Sequence, residues 1–428
     1  MKLHYYLWLL CLPLTPWVLL GAGMKEMNPP AEPERTLIAL VGGQLINGHG
    51  GNPIENAIVV IEGSKIVVAG PAESITLPKD AEIIDATGHT ILPGLVDTHF
   101  HSRDSVKPPI EYELQKGITS FRDPGHPFKY YIVPLLSKET LPRIFLCGGH
   151  LDGINPIHRD QAIRVEGVEH AKKAVNWHVD RGASAIKVYF MLPLDHISAV
   201  CEAANERGVL VTAHLELVDA DDAIRAGVRG IEHVTSLGTT LASPEDAAHF
   251  KREVRADPNK RRSLRPWLWS RIDLDNNPRL QPLLDQIVDT GTFVSPTVDI
   301  FEARAGEKGF TQLQQQGFET MLRFIGMCHE AGVKITVGSH TSAPFADRGY
   351  AFQREMELLV AAGMTTMEVI TAATKTGSEF LGIEDRLGTI EADKTADLIL
   401  IEGNPAKDIS EMRNVRRVML NGRWVYEN

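Results

Sequence analysis

Apolar and polar positions follow two different rhythms along this chain of 428 residues, and the change of rhythm divides it. Near each end the apolar residues come in β-branched runs of strand length. "AIVVIEGSKIVVAG" (residues 57–70) is two such runs about a Glu-Gly-Ser turn. "RVMLNGRWVY" (417–426) sets Asn421-Gly422 between two more, a strong hairpin signal, and "DLILIEG" (397–403) is a further strand. The middle differs. From about residue 93 to 383, short apolar runs alternate with amphipathic stretches such as "GVEHAKKAVNWHVDRG" and "HISAVCEAANERG", the latter closing on Gly208. The runs are "GLVDTHFH" (94–101), "ITSFRD" (118–123), "RIFLCGG" (143–149), "SAIKVYF" (184–190), "VLVTAHL" (209–215), "GIEHV" (230–234), "TFVSPT" (292–297) and "VKITVGSH" (333–340).

Eight strands alternating with helices predict an α/β fold, a (β/α)8 TIM-like barrel, with a small β-sandwich domain built from both terminal segments. A doubly wound sheet is the alternative, but no Gly-rich phosphate loop follows the first strand. The predicted divisions are a barrel over 93–384 and sandwich parts over 36–92 and 385–428. The longest connection, Thr235 to Pro282, follows strand six and carries "KRRSLRPWLWSR". It is a candidate lid or specificity loop, or a packed surface excursion.

Residues 1–23 stand outside this pattern. One early Lys, an apolar stretch from Leu7 to Leu20 and small residues at Gly21, Ala22 and Gly23 have the layout of a secretory signal peptide. A retained membrane anchor is the rival reading, interrupted by Pro13 and Pro16. An exported protein is therefore expected, periplasmic or secreted, with membrane contact only if that segment is kept. Residues 24–35, including "NPPAEPE", read as a polar linker. Cys11 lies inside the apolar run; Cys147, Cys201 and Cys328 are widely spaced and read as buried thiols, although an exported chain could join two. The formal charge of −11 argues against nucleic acid as a partner.

Chemistry in such a barrel gathers at the C-terminal ends of the strands. There this chain carries His99 and His101, Lys187, His214, His233 and His340. A lone strand-end histidine is usually a satisfied polar residue. Several at one pole, with a lysine among them, point instead to metal. A buried lysine loses its charge readily, and a neutral amine can take up CO2 to become a carbamate, in effect a carboxylate. A strand-end salt bridge is the plainer alternative for Lys187.

The order His-x-His, Lys, His, His along a barrel with β-rich flanks resembles the amidohydrolase superfamily, and within it the imidazolonepropionase-like and prolidase-type (Xaa-Pro, Xaa-Arg dipeptidase-like) branch. "ILPGLVDTHFH", "FRDPG", "GGH", "GASAIKV" and "GTIEADKTADLIL" are further points of likeness. The resemblance implies two divalent ions, usually zinc. His99 and His101 would hold one, His214 and His233 the other, with carbamylated Lys187 bridging them. It implies attack of a metal-bridging hydroxide on an amide or peptide-like C–N bond, in a small-molecule substrate such as a dipeptide or N-acyl amino acid. His150 resembles a family histidine that touches the substrate carbonyl, and Tyr189 is a second candidate substrate contact. Members often form homo-oligomers, which this sequence leaves open.

Strand eight departs from the family. There a Thr-Asp or Ser-Asp step normally supplies a metal ligand that also moves the proton; this chain reads "VGSHTSAP", with His340 in the Asp position. Two dications with a carbamate, a hydroxide and an Asp sum to about +1, whereas neutral His340 leaves about +2, and protonating an imidazole there adds another cation. His340 is thus a candidate ligand and sluggish base, and Asp347 in the next loop is a candidate to take over the proton. The alternative is an exported binding protein or catalytically weakened relative.

Overall fold

The computed structural model describes residues 25–32, 35–102, 113–136 and 140–428. The expected signal or anchor segment and Cys11 lie outside the described residues. No helix among the described residues is long and apolar enough to cross a membrane.

The first five strands are β1 (Leu37–Leu45), β2 (Ile54–Glu62), β3 (Lys65–Pro71), β4 (Glu82–Asp85) and β5 (His89–Pro93). The last three are β16 (Leu398–Glu402), β17 (Val415–Leu420) and β18 (Arg423–Glu427). All eight belong to one continuous hydrogen-bonded sheet, ordered β18-β17-β16-β5-β1-β2-β3 with β4 on β1. The two ends of the chain meet where β16 runs antiparallel to β5. Strand β1 changes partner along its length, pairing with β4 through Val41 and with β5 from Gln44, around register shifts at Gly43. Leu40, Val59, Leu398, Leu400 and Met419 from across it share one core. The Asn421-Gly422 turn is the two-residue hairpin expected, both residues at positive φ (53° and 77°) as a type I′ turn requires.

The barrel strands are β6 (Leu95–Asp97), β7 (Ile118–Asp123), β8 (Arg143–Leu146), β11 (Ala185–Val188), β12 (Leu210–Ala213), β13 (Gly230–Glu232), β14 (Phe293–Ser295) and β15 (Lys334–Ile335). Each falls within one of the eight apolar runs. Two short strands, β9 (His150–Asp152) and β10 (Ala162–Arg164), extend the ring beyond β8. The paired neighbours among these strands all run parallel. The ring closes between strands eight and one, where Thr98 N donates to Val337 O at 3.0 Å and His340 N donates to His99 O at 2.8 Å. Gly338 permits that closure: a Cβ there would stand 2.7 Å from His99 Cβ and 2.8 Å from Ser295 Oγ. A closed ring excludes the doubly wound alternative.

The helices Val168–Asp180 and Leu194–Glu206 match the two amphipathic stretches and pack against each other. Cys147, Cys201 and Cys328 are buried free thiols, since isolated positions on separate elements pack as small apolar groups. The expected linker behaves differently from its composition. Residues 25–32 are docked across the N-terminal ends of the strands: Met27 N donates to Ile144 O, Asn28 exchanges hydrogen bonds with Pro142 O and Ile144 N, and Glu26 pairs with Arg143. Its polar side chains find partners there, so the segment is fixed.

Candidate functional site

Each strand-end histidine follows the last regular residue of its strand, where the backbone leaves the ladder and the side chain turns over the barrel mouth. The backbone records the cost. His233 (φ 66°), Thr297 (43°), His340 (47°) and Thr341 (83°) occupy the left-handed region, which costs non-glycine residues of order 1–3 kcal/mol and tends to cluster at functional sites.

The rings converge. His99 Nε2 lies 3.1 Å from His101 Nε2. Ring centroids separate His99 from His233 by 4.6 Å and from His340 by 5.3 Å. His101 stands 4.7 Å from His340, and His214 stands 4.5 Å from His233. Lys187, His214, His233, His340, His150 and Tyr189 line a cavity of about 360 Å3, with His99 buried beneath its floor. Five of the six expected ligand side chains are thus imidazoles around one space, and the sixth is the Lys187 amine. The Tyr189 ring bridges His150 (4.5 Å) and His214 (4.6 Å).

Arg122 and Glu232, which sequence reasoning passed over, support this floor from inside the barrel. The Arg122 guanidinium is fully buried; its Nε donates to Thr98 O (2.8 Å), Nη1 to Thr212 Oγ1 (3.2 Å) and Nη2 to Glu232 Oε1 (2.8 Å). Glu232 Oε2 contacts Lys187 Nζ and lies 3.0 Å from His99 Nδ1, off the hydrogen-bonding direction. The signal was present: a charged residue inside each of two apolar strands, "ITSFRD" and "GIEHV". Burial of an unpaired charge is costly, so such residues imply partners across the barrel. His233 Nδ1 is 2.6 Å from Thr297 Oγ1, which orients the other ring nitrogen toward the cavity.

Burial dominates the electrostatics. It holds the imidazolium forms of His99, His101, His214 and His233 well below the ordinary histidine pKa, and neighbouring cations add to the effect. His340 falls to about 4 and His150 to about 3 for the same leading reason. Burial also pushes the Lys187 ammonium well below its usual value, with Arg122 repulsion second and Cys147 and Asp123 opposing; its amine touches the Glu232 carboxylate. At neutral pH the cavity therefore offers neutral imidazoles, the form that donates a lone pair to a metal.

The donor set fits divalent transition ions. Neutral nitrogen ligands suit zinc, and two ε nitrogens facing one another at 3.1 Å are placed as two ligands of one ion are. His150 Nε2 is a buried nitrogen without a protein partner, free for a ligand. One position fits less simply: His214 Nε2 meets Arg265 Nη2 at 2.8 Å and Glu216 Oε1 at 3.0 Å.

The loop after strand six folds largely into helices, including Pro244–Ala256 and Arg261–Trp269. Arg261 and Arg265, four residues apart on one helical face, reach the cavity with Arg262. The tryptophans do not. Trp269 is buried against Phe324 and Trp267 packs on His249, because both belong to the seam between this helix and its neighbours. Asp347 is also misplaced by the sequence reading. It is exposed and outside the cavity lining, since its loop runs outward before the helix Ala351–Ala361. His126 and His158, which sequence reasoning did not single out, do line the cavity.

Comparison with known proteins agrees with this architecture. A model of the amidohydrolase family matches residues 90–425. A 5-methylthioadenosine/S-adenosylhomocysteine deaminase of Symbiobacterium thermophilum is 23% identical over 438 residues, covering 87% of this chain and 89% of the deaminase. Among solved structures, a putative prolidase from Bifidobacterium longum superposes with a TM-score of 0.69 at 23% identity, over 92% of this chain and 96% of that one. A Xaa-Pro dipeptidase with methionine bound in its active site gives 0.69 at 24%, over 92% and 100%. At such identities the structural likeness is one of fold.

Proposed function

Because the chain belongs to the amidohydrolase family, we propose that it is a metal-dependent hydrolase that cleaves an amide or peptide-like C–N bond in a small exported-compartment substrate, a dipeptide or N-acyl amino acid. The observation that carries this reading is the convergence of His99, His101, Lys187, His214, His233 and His340 on one cavity at the C-terminal mouth of the barrel. His99 and His101 would hold one divalent ion and His214 and His233 a second, with Lys187, as its carbamate, a further ligand. Such ions would supply Lewis acidity and an activated water at neutral pH.

The protein's own groups do the remainder. Thr297 holds the ring of His233 in place, and the Glu232 carboxylate lies beside the His99 ring. His150 and Tyr189 form one wall against which the substrate seats, and His150 presents its unpartnered Nε2 there. Arg261, Arg262 and Arg265 form the rim; Glu216 pairs with Arg265 and lies near Arg261, and the excess of guanidinium charge favours an anionic group on the substrate. Carrying the proton to the leaving nitrogen falls to His340, since Asp347 is exposed and outside the cavity lining. An imidazole with its pKa at about 4 is a weak base at neutral pH.

Metal analysis of the purified protein, paired with a screen of dipeptides and N-acyl amino acids, tests the proposal. About two equivalents of metal and chelator-sensitive hydrolysis are expected; a metal-free protein that hydrolyses these compounds overturns it. His340→Asp separates the two readings of strand eight. A rise of tenfold or more in kcat at unchanged metal content identifies the natural protein as a weakened relative; loss of activity identifies His340 as the working proton carrier.

A further inference from the structure

A further histidine at the barrel mouth lies in the turn after strand two. "FRDPGHP" places His126 three residues beyond Asp123, at the same pole as the other imidazoles. Its ring stands edge-on to His101, 5.6 Å between centroids, and it lines the cavity. Ligand atoms of His101, Asp123 and His126 all lie within 4.8 Å of one another.

Asp123 is not itself free to bind an ion. Its Oδ2 accepts from Ser102 N (3.1 Å), Ser102 Oγ (2.7 Å) and Tyr131 OH (2.6 Å), and its Oδ1 accepts from the backbone N–H of Gly125 and His126. A carboxylate with so many donors is anionic, and it lies 2.7 Å from His126 Nδ1. It therefore holds the His126 proton on Nδ1 and leaves the lone pair on Nε2. That arrangement, a carboxylate behind an imidazole whose far nitrogen is open, is the usual support of a metal-ligating histidine. The described neighbour of His126 Nε2 is the Gln161 side-chain nitrogen at 3.3 Å, a long contact that a stronger ligand displaces.

Resting on the metal-dependent reading above, we propose that His126, fixed by Asp123, is a further ligand of the ion held by His101. With His340 in the strand-eight position, this corner of the cavity then binds metal through imidazole nitrogens from strands one, two and eight. A corner with this many imidazole nitrogens favours zinc, copper or nickel over magnesium or manganese, whose preferred ligands are oxygens.

The test compares wild type with His126→Gln, both loaded with Co(II), by metal stoichiometry, by competition against a chelator and by the visible absorption of the cobalt centre. The expected result is a folded variant with one ion bound about 10–100-fold more weakly and an altered cobalt spectrum. A folded variant with wild-type affinity and spectrum overturns the proposal. Should His126→Gln not fold, exchange of the His126 C2 proton in the wild type decides: slowing on metal loading supports ligation, and an unchanged rate overturns it. A wild type that binds no cobalt at all overturns the hydrolase reading as well, so the two failures are distinct.

Discussion

The two mouths of the barrel are built from similar residue types and treat them in opposite ways. At the N-terminal mouth, Arg143 donates to both Asp397 oxygens (2.8 and 3.1 Å) and to Glu26 (3.0 Å), and Asp397 also receives Asn421 N at 2.7 Å. The charge is buried, and its partners come from the docked N-terminal segment and the last hairpin. At the C-terminal mouth, seven histidines, Lys187 and three arginines line a cavity, and the carboxylates that reach this lining, among them Glu216 at His214 and Arg265 and Glu232 at Lys187, are outnumbered. There His150 keeps an unpartnered nitrogen and four residues keep left-handed backbone. Closed pairing at one end stabilises the fold. Open lone pairs at the other are a standing demand for a ligand.

The sharpest way to break this contrast is to remove a proposed ligand at the open end. Lys187→Ala is expected to lower kcat/KM by at least about 10³-fold, on the order of 4 kcal/mol, with little loss of thermal stability. The same loss is expected on chelation and is reversed by zinc; activity surviving both treatments would place the chemistry elsewhere. At the closed end the opposite is expected. Arg143→Ala leaves Asp397 and Glu26 buried without their partner, so unfolding becomes easier by about 3–5 kcal/mol, while kcat per folded molecule is unchanged. Denaturant titration and active-site metal content measured together would show it.

A smaller effect tests the wall between the two mouths. Glu355, on the helix Ala351–Ala361, accepts from Asp299 N at 2.9 Å, and burial pushes its carboxyl up to about 8 from an ordinary 4.5. The folded protein therefore binds a proton that the unfolded chain releases between these values. Stability contributed by this group is full below pH 4.5 and falls as pH rises toward 8. Glu355→Gln, which carries no such proton, is expected to raise stability at pH 8 by on the order of 1–3 kcal/mol. The gain should shrink toward zero near pH 4.5 in thermal melts. A constant difference across that range would show that Glu355 ionises normally.

Much of the candidate site was legible because its proposed ligands come mostly from strand ends, and strand ends are marked by apolar runs. His99, His101, His214, His233 and His340 sit at or near the close of such a run and Lys187 lies within one, so finding the eight runs found them. What was missed lies off that rule. Arg122 and Glu232 are inside strands, and their importance is a matter of what faces them across the barrel. His126 sits in a turn, and only the closed ring brings it beside His101. Asp347 was misjudged for the converse reason: nearness along the chain to His340 said nothing of which way the loop leaves the barrel.

Local pattern alone determined the elements here: where strands begin and stop, the type I′ turn at Asn421-Gly422, the eightfold alternation, and the identity of the strand-end imidazoles. Tertiary structure decided which of these groups share a space, which charges are paired and which nitrogens are left open. The reason is physical. Secondary structure follows from interactions a few residues apart, whereas ligand geometry, burial and pKa depend on atoms brought together from opposite ends of the sequence by closure of the ring.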